Sequence, residues 1–339
     1  MSGRRTNLAL AVALAVAGLT GFAAFTAGTA SGRWTVVLHG LAGLAVLVLS
    51  PWKSRVMRRG LRRRRPGRAN AIALAVLTAL VLVFGVGHSA GWRGLPAGLM
   101  TMQLHVGGAI VVMLLVAFHA RQRPARPRPT DLSRRTVLQT SALVAGAGAG
   151  WVVLERSWAL AGTPGADRRF TGSHEIGSGE PARMPVTQWL FDTVPRLDAN
   201  VWRLNVSAST GNRQLTLREL EQLTDETGDR VSALLDCTGG WWSRQEWRGV
   251  RLDRLLGETP TGGRLLVSSA TGYQRALPLT DASRLLLATR VGGQPLSAGH
   301  GFPARLVAHG RRGFWWVKWV TTIEVDERPW WAQPPLPLQ

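Results

Sequence analysis

Apolar residues crowd into the first half of this chain. Runs long enough to cross a bilayer, which takes roughly 20 residues in a helix, lie at about 8–29, 34–51, 70–88, 98–119 and 137–154. They predict five helices, the second and fifth at the short end. From about 163 onward no such run appears. Short apolar stretches there alternate with Gly, Pro, Asp and Arg, as in a water-facing domain. Residues 161–184 are rich in Gly, Ala, Pro and charge and read as a linker.

Charge refines this division. The net charge of +21 invites a nucleic-acid partner, but residues 1–160 hold 20 basic and 2 acidic side chains, and the remainder 21 and 18. Most of the excess lies in two loops, Lys53 to Arg68 and Arg121 to Arg135. Threading the five spans in order puts both loops, with Arg4 and Arg5, on one side. That is the positive-inside pattern. It predicts a multi-pass protein of the cell membrane with a cytoplasmic N-terminus and an extracytoplasmic C-terminal domain. It removes nucleic acid as a partner and leaves membrane lipid, whose anionic headgroups suit the basic loops. Ser133-Arg134-Arg135-Thr136-Val137-Leu138-Gln139 resembles a twin-arginine export signature before the fifth span. Ala159-Leu160-Ala161 has the form of a cleavage site. Cleavage there would separate the halves, so the fifth helix reads as an uncleaved anchor.

Four of the seven histidines, His39, His88, His105 and His119, fall in or at the ends of the spans. Ionisable residues in a span suggest function. His39 and His105 come at matching depth on the second and fourth helices, roughly 7–12 Å inside the outer boundary at 1.5 Å per residue. Their surroundings echo each other, Val37 to Gly43 against Gln103 to Ala109. Facing imidazoles in a bundle are a usual way to hold a b-type haem, and polar packing between helices is the alternative. The partner position for His119 is Lys53, which argues against a second such haem. The first half thus resembles the small di-histidine membrane cytochromes.

Cys237 is the only cysteine, in Leu234-Leu235-Asp236-Cys237-Thr238-Gly239-Gly240-Trp241-Trp242. A lone thiol is an inert buried residue, a nucleophile or a soft metal ligand. The two glycines allow close backbone approach, and the two tryptophans suggest an aromatic-walled mouth.

Three segments carry a resemblance over residues 185–327. Cys237 is followed by Trp247-Arg248-Gly249-Val250 and by Leu252, Leu255 and Leu256. Then come Gly301-Phe302-Pro303-Ala304-Arg305-Leu306-Val307 and Gly313-Phe314-Trp315-Trp316-Val317-Lys318-Trp319-Val320. In this order they resemble the molybdopterin-binding domain of the sulfite oxidase superfamily, in particular the periplasmic protein-methionine-sulfoxide reductase catalytic subunits. The resemblance implies an α+β, strand-rich fold with Mo-molybdopterin as cofactor. It makes Cys237 the molybdenum ligand and catalytic residue, and Arg305 and Lys318 the phosphate contacts. His300, Trp316 and Val317 match further cofactor contacts, as do Gln188, Phe191 and Asp192 upstream, and Ser269. A soft thiolate suits molybdenum. The arginines that grip sulfite are not evident; Arg244, His309, Arg311 and Arg312 are nearby candidates.

The expected organisation is a four-helix, haem-binding membrane domain at 1–130, a twin-arginine-like segment and fifth helix at 131–160, the linker at 161–184, and the molybdopterin-binding oxidoreductase domain at 185–339. The expected activity is a molybdenum-dependent oxidoreduction of a small polar substrate such as an S-oxide or N-oxide. Electrons would pass through the membrane haem, from quinone or another membrane carrier. Two other readings stay open: a cofactor-free envelope binding module on a membrane anchor, and a haem-only membrane electron-transfer protein.

Overall fold

The computed structural model describes the chain apart from residues 1–2, 27, 63–67, 95–98, 123, 125–127, 190–191, 209–210, 258–261 and 338–339. Phe191 and the loop arginines Arg63, Arg64, Arg65, Arg123 and Arg126 therefore lie outside the described residues. Two compact units meet at His174 and Glu175, inside the stretch read as a linker.

The first unit contains α1 (Gly3–Thr26), α2 (Arg33–Arg62), α3 (Arg68–Ala90), α4 (Thr101–Gln122) and α5 (Arg134–Leu160). All five are long and apolar enough to cross a membrane. Helices α2, α3 and α5 run past both ends of the apolar stretches that predict them, because flanking polar residues continue the backbone hydrogen-bond ladder, whereas α1 starts and ends earlier, and α4 later, than its stretch. The extension is longest in α2, which carries its basic residues from Lys53 to Arg62 on helix. Helix α1 packs on α2, α3 on α4, and α5 on α2. Leu10, Ala13, Val46 and Leu49 form a buried seam. By contrast Leu19, Leu114 and Val153 are 73%, 68% and 64% exposed, so the outer surface is of the kind hydrocarbon accommodates. One end of the bundle is pinned by the Arg4 guanidinium, which donates to both oxygens of Asp131 at 2.6 and 2.5 Å. Arg134 and Arg135 are exposed in the first turn of α5.

The second unit is built on sheets. Its elements are β1 (Arg203–Ala208), β2 (Gly211–Thr216), α6 (Leu217–Thr227), β3 (Arg230–Cys237), β4 (Trp241–Arg251), α7 (Leu252–Leu256), β5 (Arg264–Ser269), β6 (Gln274–Pro278), β7 (Leu285–Val291), β8 (Gln294–Pro295), β9 (Arg305–Ala308) and β10 (Val320–Asp326). Strand β4 lies between β3 and β7, and β7 between β4 and β9, all antiparallel. A five-stranded sheet runs β2–β1–β10–β5–β6, with β10 parallel to β1. The apolar run Leu285-Leu286-Leu287-Ala288 is buried throughout, as a strand covered on both faces requires. Strand β4 instead alternates: Trp241, Ser243, Gln245 and Trp247 are buried, and the residues between them are more exposed. Helix α6 starts at a reciprocal Thr216–Glu219 capping box.

The segment Ile176 to Glu180 is tied to β4: the amides of Ile176 and Gly179 donate to the carbonyls of Trp242 and Arg244. This part of the expected linker is therefore built into the fold. At the far end, residues 328–337 lie across the unit. Gln333 exchanges hydrogen bonds with both backbone groups of Ala276, and Trp189 Nε1 donates to the Pro337 carbonyl at 3.1 Å.

The Trp-x-Gly motif has a backbone explanation. A Cβ on Gly249 would lie 1.9 Å from the Leu287 carbonyl oxygen and 2.6 Å from Ala288 Cα, where β4 and β7 shift register. Neither atom can swing away as a side-chain tip would. Gly249→Ala should therefore destabilise the second unit by about 3 kcal/mol, as overpacking does, and lower its melting temperature by roughly 6–12 °C. Tryptophan-emission melting of the full chain measures this.

Candidate active site

Strand β3 delivers Cys237 to a tight hairpin. Thr238, Gly239 and Gly240 turn the chain, Gly240 takes φ 88°, and Trp241 returns opposite Cys237 in β4. The thiol is only partly buried. It receives the Gly239 N–H at 3.3 Å, and the Thr187 hydroxyl lies 3.3 Å from Sγ. Both contacts help fix the position of the sulfur. The hairpin glycines thus serve the turn and the sulfur. Trp241 lines the cleft, whereas Trp242, one residue on, belongs to the other face of the pleat. The expectation that both tryptophans wall the mouth is corrected by that alternation.

Opposite Cys237 stand two cations. Arg305 opens β9 and is 1% exposed. Its Nη1 donates to the His300 carbonyl at 3.0 Å, its Nε is buried with no hydrogen-bond partner, and its Cζ lies 5.0 and 5.6 Å from the Trp247 and Trp316 ring centres. Lys318 Nζ donates to the carbonyls of Thr187 and Gly299 at 2.8 and 2.7 Å. Among the described residues neither cation forms a salt bridge. Burial pushes Arg305 down to about 9, and burial together with the Arg305 charge pushes Lys318 down to about 7.

The backbone is arranged to hold this pair. Gly301 has φ 109°, and a Cβ there would sit 2.9 Å from Arg305 Cβ and 3.3 Å from Lys318 Cα. Trp319 adopts φ 51°, uncommon for a bulky side chain. Its indole donates to the Ala298 carbonyl at 2.7 Å, and its own carbonyl accepts from Ala270 N–H. Such conformations persist where surrounding bonds over-determine them.

Most of the expected contacts converge here. Gln188, Asp192, Ser269, His300, Arg305, Trp316 and Lys318 line one cleft with Cys237, and the Gln188 amide nitrogen is buried without a partner. Phe191 lies outside the described residues. Val317 does not line the cleft; it is fully buried, and its carbonyl accepts from Leu306 N–H at 2.7 Å. His300 reaches the cleft with both ring nitrogens engaged. Nε2 donates to the Met184 carbonyl at 3.1 Å, and Nδ1 pairs with Ser297 at 2.8 Å. Burial and the Arg305 charge hold its pKa near about 4. Of the candidate substrate arginines, Arg312 is spent on Asp236 at 2.5 Å and Arg311 on Asp281. Arg244 and His309 are exposed. Thr187, Trp189, Tyr273 and Phe314 line the cleft unforeseen. Tyr273 donates its hydroxyl to the Phe314 carbonyl, and burial pushes the phenol's pKa upward.

The residues fit an anionic cofactor held through sulfur. One soft donor faces two cations that form no salt bridge among the described residues, with Asp192 the one carboxylate lining the cleft, and the orphaned Arg305 Nε and Gln188 Nε2 offer donors to an incoming acceptor. Among the described residues, no group of three or more His, Cys, Asp or Glu side chains gathers as a metal site, so a metal here would rely on ligands brought by its cofactor.

In the first unit His39 and His105 do meet, with Nε2 atoms 3.4 Å apart and ring centres at 5.7 Å. Each Nδ1 contacts a backbone carbonyl, Ala17 at 2.9 Å and Val81 at 2.8 Å. A carbonyl only accepts, so each Nδ1 carries the proton and each neutral Nε2 presents a lone pair. His88 is occupied otherwise, its ring nitrogens facing Thr101 and the Gly172 carbonyl. His119 has no place in the His39–His105 pair.

Without cofactor, Lys318 has a consequence for stability. The unfolded chain keeps this proton up to about 10.5, the fold only to about 7. Between these values the unfolded state binds more protons, so stability rises with pH, and it is lowest below pH 7. Urea midpoints of the cofactor-free protein should rise from pH 7 to 10, and Lys318→Met should remove most of that rise.

Residues 191–333 match the family described as oxidoreductase molybdopterin binding domain. Mitochondrial sulfite oxidase of Mus musculus is 31% identical over 169 residues, 39% of this chain and 30% of the relative. The Homo sapiens protein is 29% identical over the same coverage. The chain thus spans under a third of the length of these curated relatives. Among solved structures, the sulfane dehydrogenase SoxCD from Paracoccus pantotrophus aligns with TM-score 0.36 and 25% identity over 40% of each chain. The cleft around Cys237 therefore belongs to a molybdopterin-binding oxidoreductase domain of the sulfite oxidase type.

Proposed function

We propose that this protein is a membrane-anchored molybdenum oxidoreductase whose second unit acts outside the cytoplasm on a small polar substrate, an S-oxide or N-oxide. The observation that carries the reading is the meeting of Cys237, Arg305 and Lys318, far apart in sequence, in one cleft. Mo-molybdopterin bound there would supply two-electron redox chemistry coupled to oxygen-atom transfer. Cys237 would hold the metal. Arg305 and Lys318 would hold the cofactor phosphate, with Gln188, Asp192, Ser269 and Trp316 around the pterin. Thr187 and Gly239 would fix the sulfur's orientation and hydrogen bonding. Trp189, Trp241 and Phe314 give the cleft aromatic walls that exclude water. Beyond Arg305 no arginine lines it among the described residues, which favours an uncharged S-oxide or N-oxide over a sulfite dianion.

The five apolar helices would anchor the protein, with the basic loops cytoplasmic against anionic lipid and Arg134-Arg135 as a twin-arginine-like export element. The His39–His105 pair supports one b-type haem in the bundle. With each Nδ1 turned to a backbone carbonyl, the two Nε2 atoms face each other at 3.4 Å and are the nitrogens a metal ion could use. His39 and His105 would hold the haem iron, and the haem would carry electrons from quinone or another membrane carrier.

Elemental and optical analysis of the purified full chain tests both parts. Wild type should contain molybdenum and pterin, and Cys237→Ser should lose most of the molybdenum while keeping the wild-type melting temperature. Protein purified from a molybdenum-replete host with neither metal nor pterin would leave the binding-module reading standing. His39→Ala and His105→Ala should each abolish a b-type visible spectrum; an unchanged spectrum in both would refute the ligand assignment.

A further inference from the structure

A second cavity in the sheet unit, of about 340 Å³, lies on the other side of Tyr273 from the Cys237 cleft, since Tyr273 lines both. Arg264, Arg275 and Arg328 line it, and no carboxylate does among the described residues. Arg264 and Arg328 share a single carboxylate, that of Asp326. Arg275 has none. It is 1% exposed, and its only hydrogen bond among the described residues is from Nη1 to the Pro334 carbonyl at 3.2 Å. Its Nε and Nη2 are buried without a partner. The guanidinium stacks 4.1 Å from the Trp315 ring centre, but ring quadrupoles recover only part of what a buried cation loses in hydration. Burial, followed by repulsion from Arg311, pushes Arg275 down to about 10.

The rest of the lining says what kind of anion fits. Leu266, Pro334 and Pro337 give it apolar walls, and its volume lies in the range of small-molecule sites. A bare inorganic ion would leave those walls uncovered. We propose that this cavity binds a small organic anion, its carboxylate, sulfonate or phosphate head on Arg275 and Arg328 and its short apolar body against Pro334 and Pro337. A planar guanidinium with free N–H groups suits such a head. The inference is independent of the molybdopterin reading, because none of the residues given these roles lines the Cys237 cleft.

Propane-1-sulfonate is the probe, titrated calorimetrically into the full chain in detergent at low ionic strength. Wild type should bind it saturably at one site. Arg275→Gln should weaken binding at least about tenfold, the loss of a charge-assisted pair. Arg328→Gln should weaken it roughly threefold, as an exposed charge does. Arg328 has an exposed side chain, so that variant decides the matter if Arg275→Gln fails to fold, which its melting curve reports. No saturable binding by wild type, or affinity unchanged in the folded variants, overturns the proposal.

Discussion

Buried positive charge without protein counter-charge is the constraint around which the second unit is arranged. Taking a guanidinium or ammonium out of water costs several kcal/mol even after relaxation. A carboxylate would usually offset that, and among the described residues none pairs with Arg305. The fold compensates in part with ring faces, Trp247 and Trp316 over Arg305 and Trp319 beside Lys318, each worth roughly 0.5–2 kcal/mol. Backbone carbonyls of Thr187, Gly299 and His300 add a further part. The left-handed Trp319 and the open backbone at Gly301 follow from the same need, since they let two cations sit side by side. What the protein leaves uncompensated, an anionic cofactor completes.

Much of the cleft was legible because its chemistry lies in short segments. Cys237, Arg305 and Lys318 each sit in a compact string of distinctive residues, and such strings survive as patterns. Thr187, Tyr273 and Phe314 did not stand out because their role is tertiary. Thr187 reaches Cys237 across 50 positions by a path that no local spacing encodes. Val317 and Trp242 lie off the cleft lining for a simpler reason. A motif is contiguous, but a strand shows alternate residues to opposite faces, so immediate neighbours rarely share a role. Arg312 was plausible as a substrate arginine until Asp236, buried beside it, proved to be its partner.

The membrane-type half was legible at the level of elements, since apolar runs announce helices regardless of context. Its internal echo acquires a physical meaning only in three dimensions. His39 leans on Gly21 of α1 and bonds Ala17, four residues earlier. His105 leans on Gly85 of α3 and bonds Val81, again four residues earlier. Two helical hairpins repeat one device: a carbonyl to set the tautomer and a glycine to admit the ring. The echo around the histidines showed half of this, and the partner halves on α1 and α3 were too brief to notice.

The closing segment of the chain links what the two cavities do. Residues 328–337 are moored at one point on Ala276 and at another on Trp189, which itself lines the Cys237 cleft. Five of these residues, Arg328, Ala332, Gln333, Pro334 and Pro337, also line the arginine-lined cavity. A peptide with two moorings transmits tension between them. The two cavities therefore share one strip of chain, as well as the Tyr273 side chain, along their border.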